Sequence, residues 1–254
     1  MSMLVDPLWL TAVFLVAIRM GPLFVMAPVL GAADIPVRVR VFLTLAFAAA
    51  LVAATGTQQF PMPSSAGALF AAAASELVIG VAMVFGVLAA FAAFLFGGRL
   101  LDLQVGFGIA NVFDPVTRSQ GPLLGTALNL LAIAVFFALD GHHMLVRGFA
   151  YSLSQFPPGR TLADLQLGAV VAQFGIVFAY GVMVVAPAVI TLLLLDVALS
   201  VAARTMPQMN IFIVAMPLKI VVGVLTLAWS MRYLAPALDR VFDSIGTYWQ
   251  SLLN

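Results

Sequence analysis

The chain contains no cysteine. That excludes disulfides, thiolate nucleophiles and cysteine-ligated metals, and it leaves the redox compartment open. Charge is scarce as well: only 8% of the 254 residues are Asp, Glu, Lys or Arg, where a soluble domain carries about a quarter. So few charges cannot cover a water-facing surface of ordinary size. A formal net charge of +1 provides no basic field for nucleic acid. Lysine is nearly missing, since Lys219 is the only one and every other cation is an arginine. The opening residues, MSMLVDPLWL, put Asp6 where a cleavable signal peptide carries basic residues, so the first apolar run is expected to be retained.

What remains is apolar. Hydrophobic residues make up 64% of the chain, and a spanning helix needs about 20 of them in a row. Six segments qualify, at roughly 8–33, 37–55, 66–98, 122–140, 165–200 and 211–234. The intervals Leu77–Gly98, Ser119–Leu139 and Leu165–Leu195 carry no charge and are long enough to cross unaided. The first segment contains Arg19 and Pro22, the second is short, and the sixth contains Pro217 and Lys219. The expected fold is an all-α integral membrane protein of about six apolar helical segments with kinks and breaks. An outer N-terminus puts Arg38, Arg40, Arg99, Arg118 and Arg204 inside and Arg147, Arg160, Arg232 and Arg240 outside. The positive-inside rule favours that orientation by one residue.

Prolines at 22, 28, 187, 207 and 217 and the pair Gly97-Gly98 fall within or beside these segments. Proline removes a backbone donor, and in lipid the freed carbonyls need other partners. Alanine runs such as Ala71 to Ala74 leave helix faces that backbones can approach closely. Both features predict segments packed against neighbours, other chains included.

Catalytic constellations are missing. The sequence has no G-x-S-x-G, no P-loop and no dinucleotide fingerprint, so no enzyme activity and no cofactor is expected. Both histidines stand side by side in Asp140-Gly141-His142-His143. Adjacent helical residues point about 100° apart, which reads as a polar segment end at the membrane surface, with no metal. Four ionisable groups lie inside apolar segments: Arg19, Glu76, Asp196 and Lys219. Each costs about 2.5–3.5 kcal/mol at a helix centre unless paired or wet. Arg19 and Asp196 lie deeper and are expected to pair, internally or with partner chains. Glu76 and Lys219 are expected to reach the membrane surface.

Four stretches, taken in order, carry a resemblance. They are RMGPLFVMAPVLGAADIPVRVR (residues 19–40), LQVGFG (103–108) with Asp114-Pro115, ALDGHH (138–143), and RTMPQMNIFIVAMPLK (204–219). Together they resemble the FliR family of flagellar type III export-gate proteins, whose injectisome branch is the SctT type. ALDGHH is similar to the flagellar branch. Met216 departs from it, because flagellar members more often carry an aromatic residue there. The resemblance implies a channel subunit that assembles with FliP- and FliQ-like subunits and works with FlhB- and FlhA-like components. Its setting would be the flagellar basal body in the bacterial inner membrane, in contact with lipid, and unfolded flagellar proteins would be the cargo. It also implies that residues 1–164 are FliP-like and residues 165–254 a FliQ-like hairpin and tail. A proton-coupled secondary transporter is the alternative from another class. Such transporters usually show an internal repeat, and none is visible between 1–127 and 128–254.

Within that resemblance, the stretch from Gly106 to Gly121 is a candidate pore plug. Gly106 and Gly108 give backbone freedom. Phe107, Ile109, Val112 and Phe113 are apolar enough to close a narrow lumen against water. Asn111, Asp114 and Arg118 keep the stretch from packing permanently into a core. Met206, Pro207, Gln208, Met209 and Asn210 form a candidate cytoplasmic docking loop, combining a turn with adaptable apolar contacts.

Overall fold

The computed structural model describes residues 6–28, 35–56, 63–107, 122–158, 165–206, 208 and 211–253, apart from the side chains of 211 and 212. Among these residues there are eight α-helices and no strand: α1 (Pro7–Met26), α2 (Val37–Thr55), α3 (Ala66–Val105), α4 (Leu123–Ala138), α5 (Gly141–Gln155), α6 (Leu167–Thr205), α7 (Ile211–Ser230) and α8 (Ala235–Leu253). A single 3-10 turn, Met231–Tyr233, joins α7 to α8. The all-α membrane fold expected from the sequence is the fold observed.

Local chemistry accounts for several helix ends. Asp6 accepts a 3.0 Å hydrogen bond from the Leu8 amide, and Pro7 follows at a position where its missing donor costs nothing. Ser65 caps α3 in the same way through the Ala68 amide. The prolines at 22, 187 and 217 lie inside α1, α6 and α7 without ending them.

Five of the described helices are long and apolar enough to cross a membrane, or up to six if the bent pair α4–α5 counts as one span. Their burial differs sharply. The most apolar stretch of α3 is 61% buried, against 22% for α6 and 17% for α7. Helix α3 is therefore an interior element. Helices α6 and α7 turn exposed side chains such as Leu194, Val197, Ile213 and Leu225 outward, where lipid or other subunits must cover them.

The chain divides into two compact units. The first comprises Met1–Leu88, Phe136–Gln173 and Ser244–Asn254. Within it α1 packs on α2, with the rings of Phe24 and Phe47 5.7 Å apart. The end of α8 lies on α3: the Tyr248 hydroxyl donates to the Ala82 carbonyl at 2.7 Å, and the Trp249 indole donates to the Met83 carbonyl at 2.8 Å. Burial pushes the Tyr248 hydroxyl above its ordinary pKa range, so it stays a donor. Glycine makes room for both rings. A Cβ on Gly86 would stand 2.3 Å from the Tyr248 ring, and one on Gly148 would stand 1.8 Å from the Trp249 ring. The second unit comprises Ala89–Val135 and Phe174–Asp243. Its core stacks Phe91 and Phe94 on Phe242, and Phe96 on Phe178.

Two expectations change here. The charge-free interval Ser119–Leu139 yields only the 16-residue α4, about 24 Å long and short of the roughly 30 Å apolar thickness of a bilayer. It ends at Asp140-Gly141, where Asp140 adopts a left-handed φ of 55°. The second change concerns 141–155 and 235–253, which lie outside the six apolar segments and yet are helices. Both are amphipathic. Helix α8 buries Val241, Phe242, Ile245, Tyr248 and Trp249, while Asp239, Arg240 and Gln250 stay exposed.

Gly148 yields a direct check on this packing. Gly148→Ala should destabilise the detergent-solubilised chain by about 1–3 kcal/mol, because the added Cβ would meet the buried Trp249 ring and displace it from its bond to the Met83 carbonyl. Gly168→Ala and Gly175→Ala, whose Cβ positions are open, should be neutral or slightly stabilising, because alanine is the better helix former. Thermal unfolding of the three variants separates the outcomes.

Candidate functional site

The candidate plug is anchored at described residues. Helix α3 ends on Gly106, whose φ of 96° is open to glycine and strained for other residues. The Gly106 amide still reaches the Asp102 carbonyl at 3.1 Å. Helix α4 then starts at Leu123 with Pro122 before it, and proline has no side chain that can cap a helix. The cap comes from elsewhere in the sequence. The Asp102 carboxylate accepts the Leu124 amide at 3.0 Å and the Gly125 amide at 3.2 Å. It does across 22 residues what an N-cap residue does locally, and as an anion it also suits the positive end of the helix.

Close backbone packing reinforces this join. A Cβ on Gly98 would lie 2.2 Å from the Gly125 Cα, so α3 and α4 touch main chain to main chain. Val105 packs against Gly223 of α7, and the Met216 side chain lies 3.5 Å from where a Gly106 Cβ would be. Phe107 is half-buried. Gly108, Ile109, Val112 and Phe113 lie outside the described residues.

Arg19 is fully buried, 0% exposed. Its Nε donates to Glu76 Oε2 at 2.5 Å and its Nη2 to Glu76 Oε1 at 3.0 Å, a two-pronged pairing. Nη2 also donates to the Phe156 carbonyl at 2.8 Å, and Nη1 donates to the Ser152 carbonyl and hydroxyl at 3.0 and 3.2 Å. All five guanidinium donors therefore have acceptors. The Ser152 and Phe156 carbonyls stand at the end of α5, so the same group satisfies that helix terminus. One turn after Glu76, the Gly80 position comes within 2.1 Å of the Arg19 carbonyl, measured to an added Cβ. Helices α1 and α3 can thus approach closely where the pair forms.

Glu76, expected to reach the membrane surface, is instead 0% exposed. A signal for this was present in the sequence: it is the only glutamate in the chain, set in an apolar helix. A lone buried cation needs a carboxylate. Lys219 keeps part of its side chain exposed. It pairs with Asp196, joining α7 to α6, and the two side chains are 21% and 38% exposed. At the candidate docking loop, Met206 and Gln208 are exposed just beyond α6. Pro207, Met209 and Asn210 lie outside the described residues.

Comparison with known proteins places these features in a family. Residues 10–245 match the family described as bacterial export proteins, family 1. The chain is 31% identical over 236 residues to the flagellar biosynthetic protein FliR of Bacillus subtilis (strain 168), covering 91% of this chain and 90% of that protein. It is 29% identical over 240 residues to the FliR of Escherichia coli (strain K12), covering 93% and 90%. It is 30% identical over 160 residues to the secretion system apparatus protein SsaT of Salmonella typhimurium, covering 62% of each chain.

The Arg19–Glu76 pair supports a double-mutant test. Arg19→Met alone should destabilise by about 3–5 kcal/mol, because it strands the Glu76 carboxylate in an apolar interior. Arg19→Met combined with Glu76→Met should recover much of that loss. Additive losses measured by thermal unfolding in detergent would show that the pair is not energetically coupled.

Proposed function

The chain belongs to family 1 of the bacterial export proteins, the FliR family, and from that premise we propose that it is a core membrane subunit of a flagellar type III export gate. In this reading it joins FliP-like and FliQ-like subunits around a passage for unfolded flagellar proteins in the inner membrane. FlhB- and FlhA-like components dock on its cytoplasmic side, at the loop that includes Met206 and Gln208. Residues 1–164 correspond to the FliP-like part and 165–254 to the FliQ-like hairpin and tail. That division rests on the family resemblance of the sequence rather than on contacts. The flagellar branch is favoured over the injectisome branch because the match to FliR covers 91% of the chain and the match to SsaT 62%.

One observation supports a plug at 106–121 above the others. The Asp102 carboxylate and the Gly98–Gly125 contact hold the two ends of this stretch together through α3 and α4. A shutter between substrates needs a fixed root and an apolar tip. Phe107, Ile109, Val112 and Phe113 supply the tip in sequence, and a hydrophobic constriction excludes ions by dewetting. The outward apolar faces of α6 and α7 support burial by neighbouring subunits.

Deletion of Ile109 to Phe113 should leave co-purification with FliP-like and FliQ-like subunits intact while making the membrane conduct small ions. Replacing Phe107 and Phe113 with Gly should do the same more weakly. Conductance of planar bilayers carrying the purified complex is the measurement. Variants that assemble normally and conduct no more than the parent would sink the plug.

A further inference from the structure

The two histidines of the chain are not used by anything above, and they stand at the one non-glycine residue with a positive φ among the described residues. Asp140 follows α4 in the left-handed conformation, its amide bonded to the Phe137 carbonyl at 3.1 Å. Gly141 follows with the Phe136 ring 2.4–2.6 Å from where its Cβ would be, so only glycine fits and the turn is held tightly. Left-handed geometry is costly outside glycine, although Asp tolerates it better than most residues. Here it brings the Asp140 carboxylate back over the start of α5. Asp140 Oδ1 lies 3.5 Å from His143 Nδ1.

The spacing of His142 and His143 alone argues against a shared ion, because neighbouring helical side chains diverge. The turn changes this by adding a third donor from outside the helix. One ligand atom each from Asp140, His142 and His143 lies within 4.8 Å of the other two, and the two imidazole centroids are 4.1 Å apart. Ligands on one tetrahedral ion stand about 3.4 Å apart, given metal–nitrogen and metal–oxygen bonds of about 2.0–2.2 Å. The remaining gap is a matter of side-chain rotation, and all three side chains are exposed. We propose that Asp140, His142 and His143 form a binding site for a divalent transition-metal ion of the zinc class.

The donor set favours this ion chemistry. Two imidazoles and one carboxylate suit Zn2+ and its borderline neighbours better than Ca2+ or Mg2+, which take all-oxygen ligands. Three protein ligands leave a position open, and the geometry leaves access to it. Asp140 and His143 border an open groove of about 500 Å³, also lined by Arg147, Tyr151 and Gln250. Arg147 is the cation on this groove, so an anion such as chloride or a carboxylate is the fitting occupant of the open position. A bound ion would cross-link the turn to α5 and stiffen the start of that helix.

The test uses the full chain in detergent, with co-expressed partner subunits where they are needed for stability, and an affinity tag that contains no histidine. After chelator treatment the protein is dialysed against Zn2+, and bound metal is counted by mass spectrometry. A Co2+ titration followed by visible absorption reports the ligand field independently. The expected result is one ion per copy of this chain in excess of the His142→Ala/His143→Ala double variant. Each single variant, and Asp140→Asn, should weaken binding about tenfold or more. The exposed imidazoles leave the fold of the double variant unchanged, which circular dichroism verifies. Equal metal content in the parent and the double variant, or no Co2+ spectrum in the parent, would overturn the site.

Discussion

A guanidinium group with no access to water governs one of the two units. Arg19 sits in an apolar helix, where an unpaired charge costs several kcal/mol, and it is 0% exposed. It is tolerated because all five of its donors are taken, by a carboxylate on α3 and by backbone and hydroxyl oxygens at the end of α5. Each partner depends on the others. The Glu76 carboxylate needs the cation, the Ser152 and Phe156 carbonyls need a donor, and α1 and α3 need Gly80 to come close enough. Helix α5 has too mixed a surface to be held by apolar contact alone, and this polar knot gives it a fixed end.

The same unit adds specific polar anchors to its apolar core. Tyr248 and Trp249 each set a ring into a notch left by glycine and donate to a carbonyl of α3. Those carbonyls lie within an unbroken helix, so the bonds add to the helical ladder rather than replace it. In the second unit glycine serves a different end, since Gly98 and Gly125 let two backbones touch with no ring between them. Close main-chain approach is how helices associate where lipid is as apolar as leucine.

How legible this was from the sequence depended on the length scale of each signal. Long apolar runs set α2, α6 and α7 within about five residues, while α1 ends seven residues before and α3 seven residues beyond the expected end, because hydropathy over about 20 residues is a local property. Helices α5 and α8 were missed because alternating faces dilute the mean, and a periodicity of 3.6 residues was the signal that could have found them. In the sequence Asp102 is an unremarked carboxylate near the end of an apolar segment, yet it caps a helix 22 residues away. The clue was negative: α4 begins behind a proline and has no capping residue of its own. Glu76 was misjudged by its distance from a segment end. Counting opposite charges within the apolar segments pairs Arg19 with Glu76 and Asp196 with Lys219, whereas position in the sequence could not.

The join between Asp102 and the start of α4 has a further consequence for chain entropy. Closing a loop normally costs more as the loop lengthens, by about 0.6 kcal/mol for each doubling. Here the closure is already made by packed helices and two amide–carboxylate bonds, which hold whatever the connecting residues are. On closure entropy alone, lengthening or shortening the stretch between Phe107 and Pro122 by a few residues would change the folding free energy by only tenths of a kcal/mol. The cost of closure therefore exerts almost no selection on the length of this stretch.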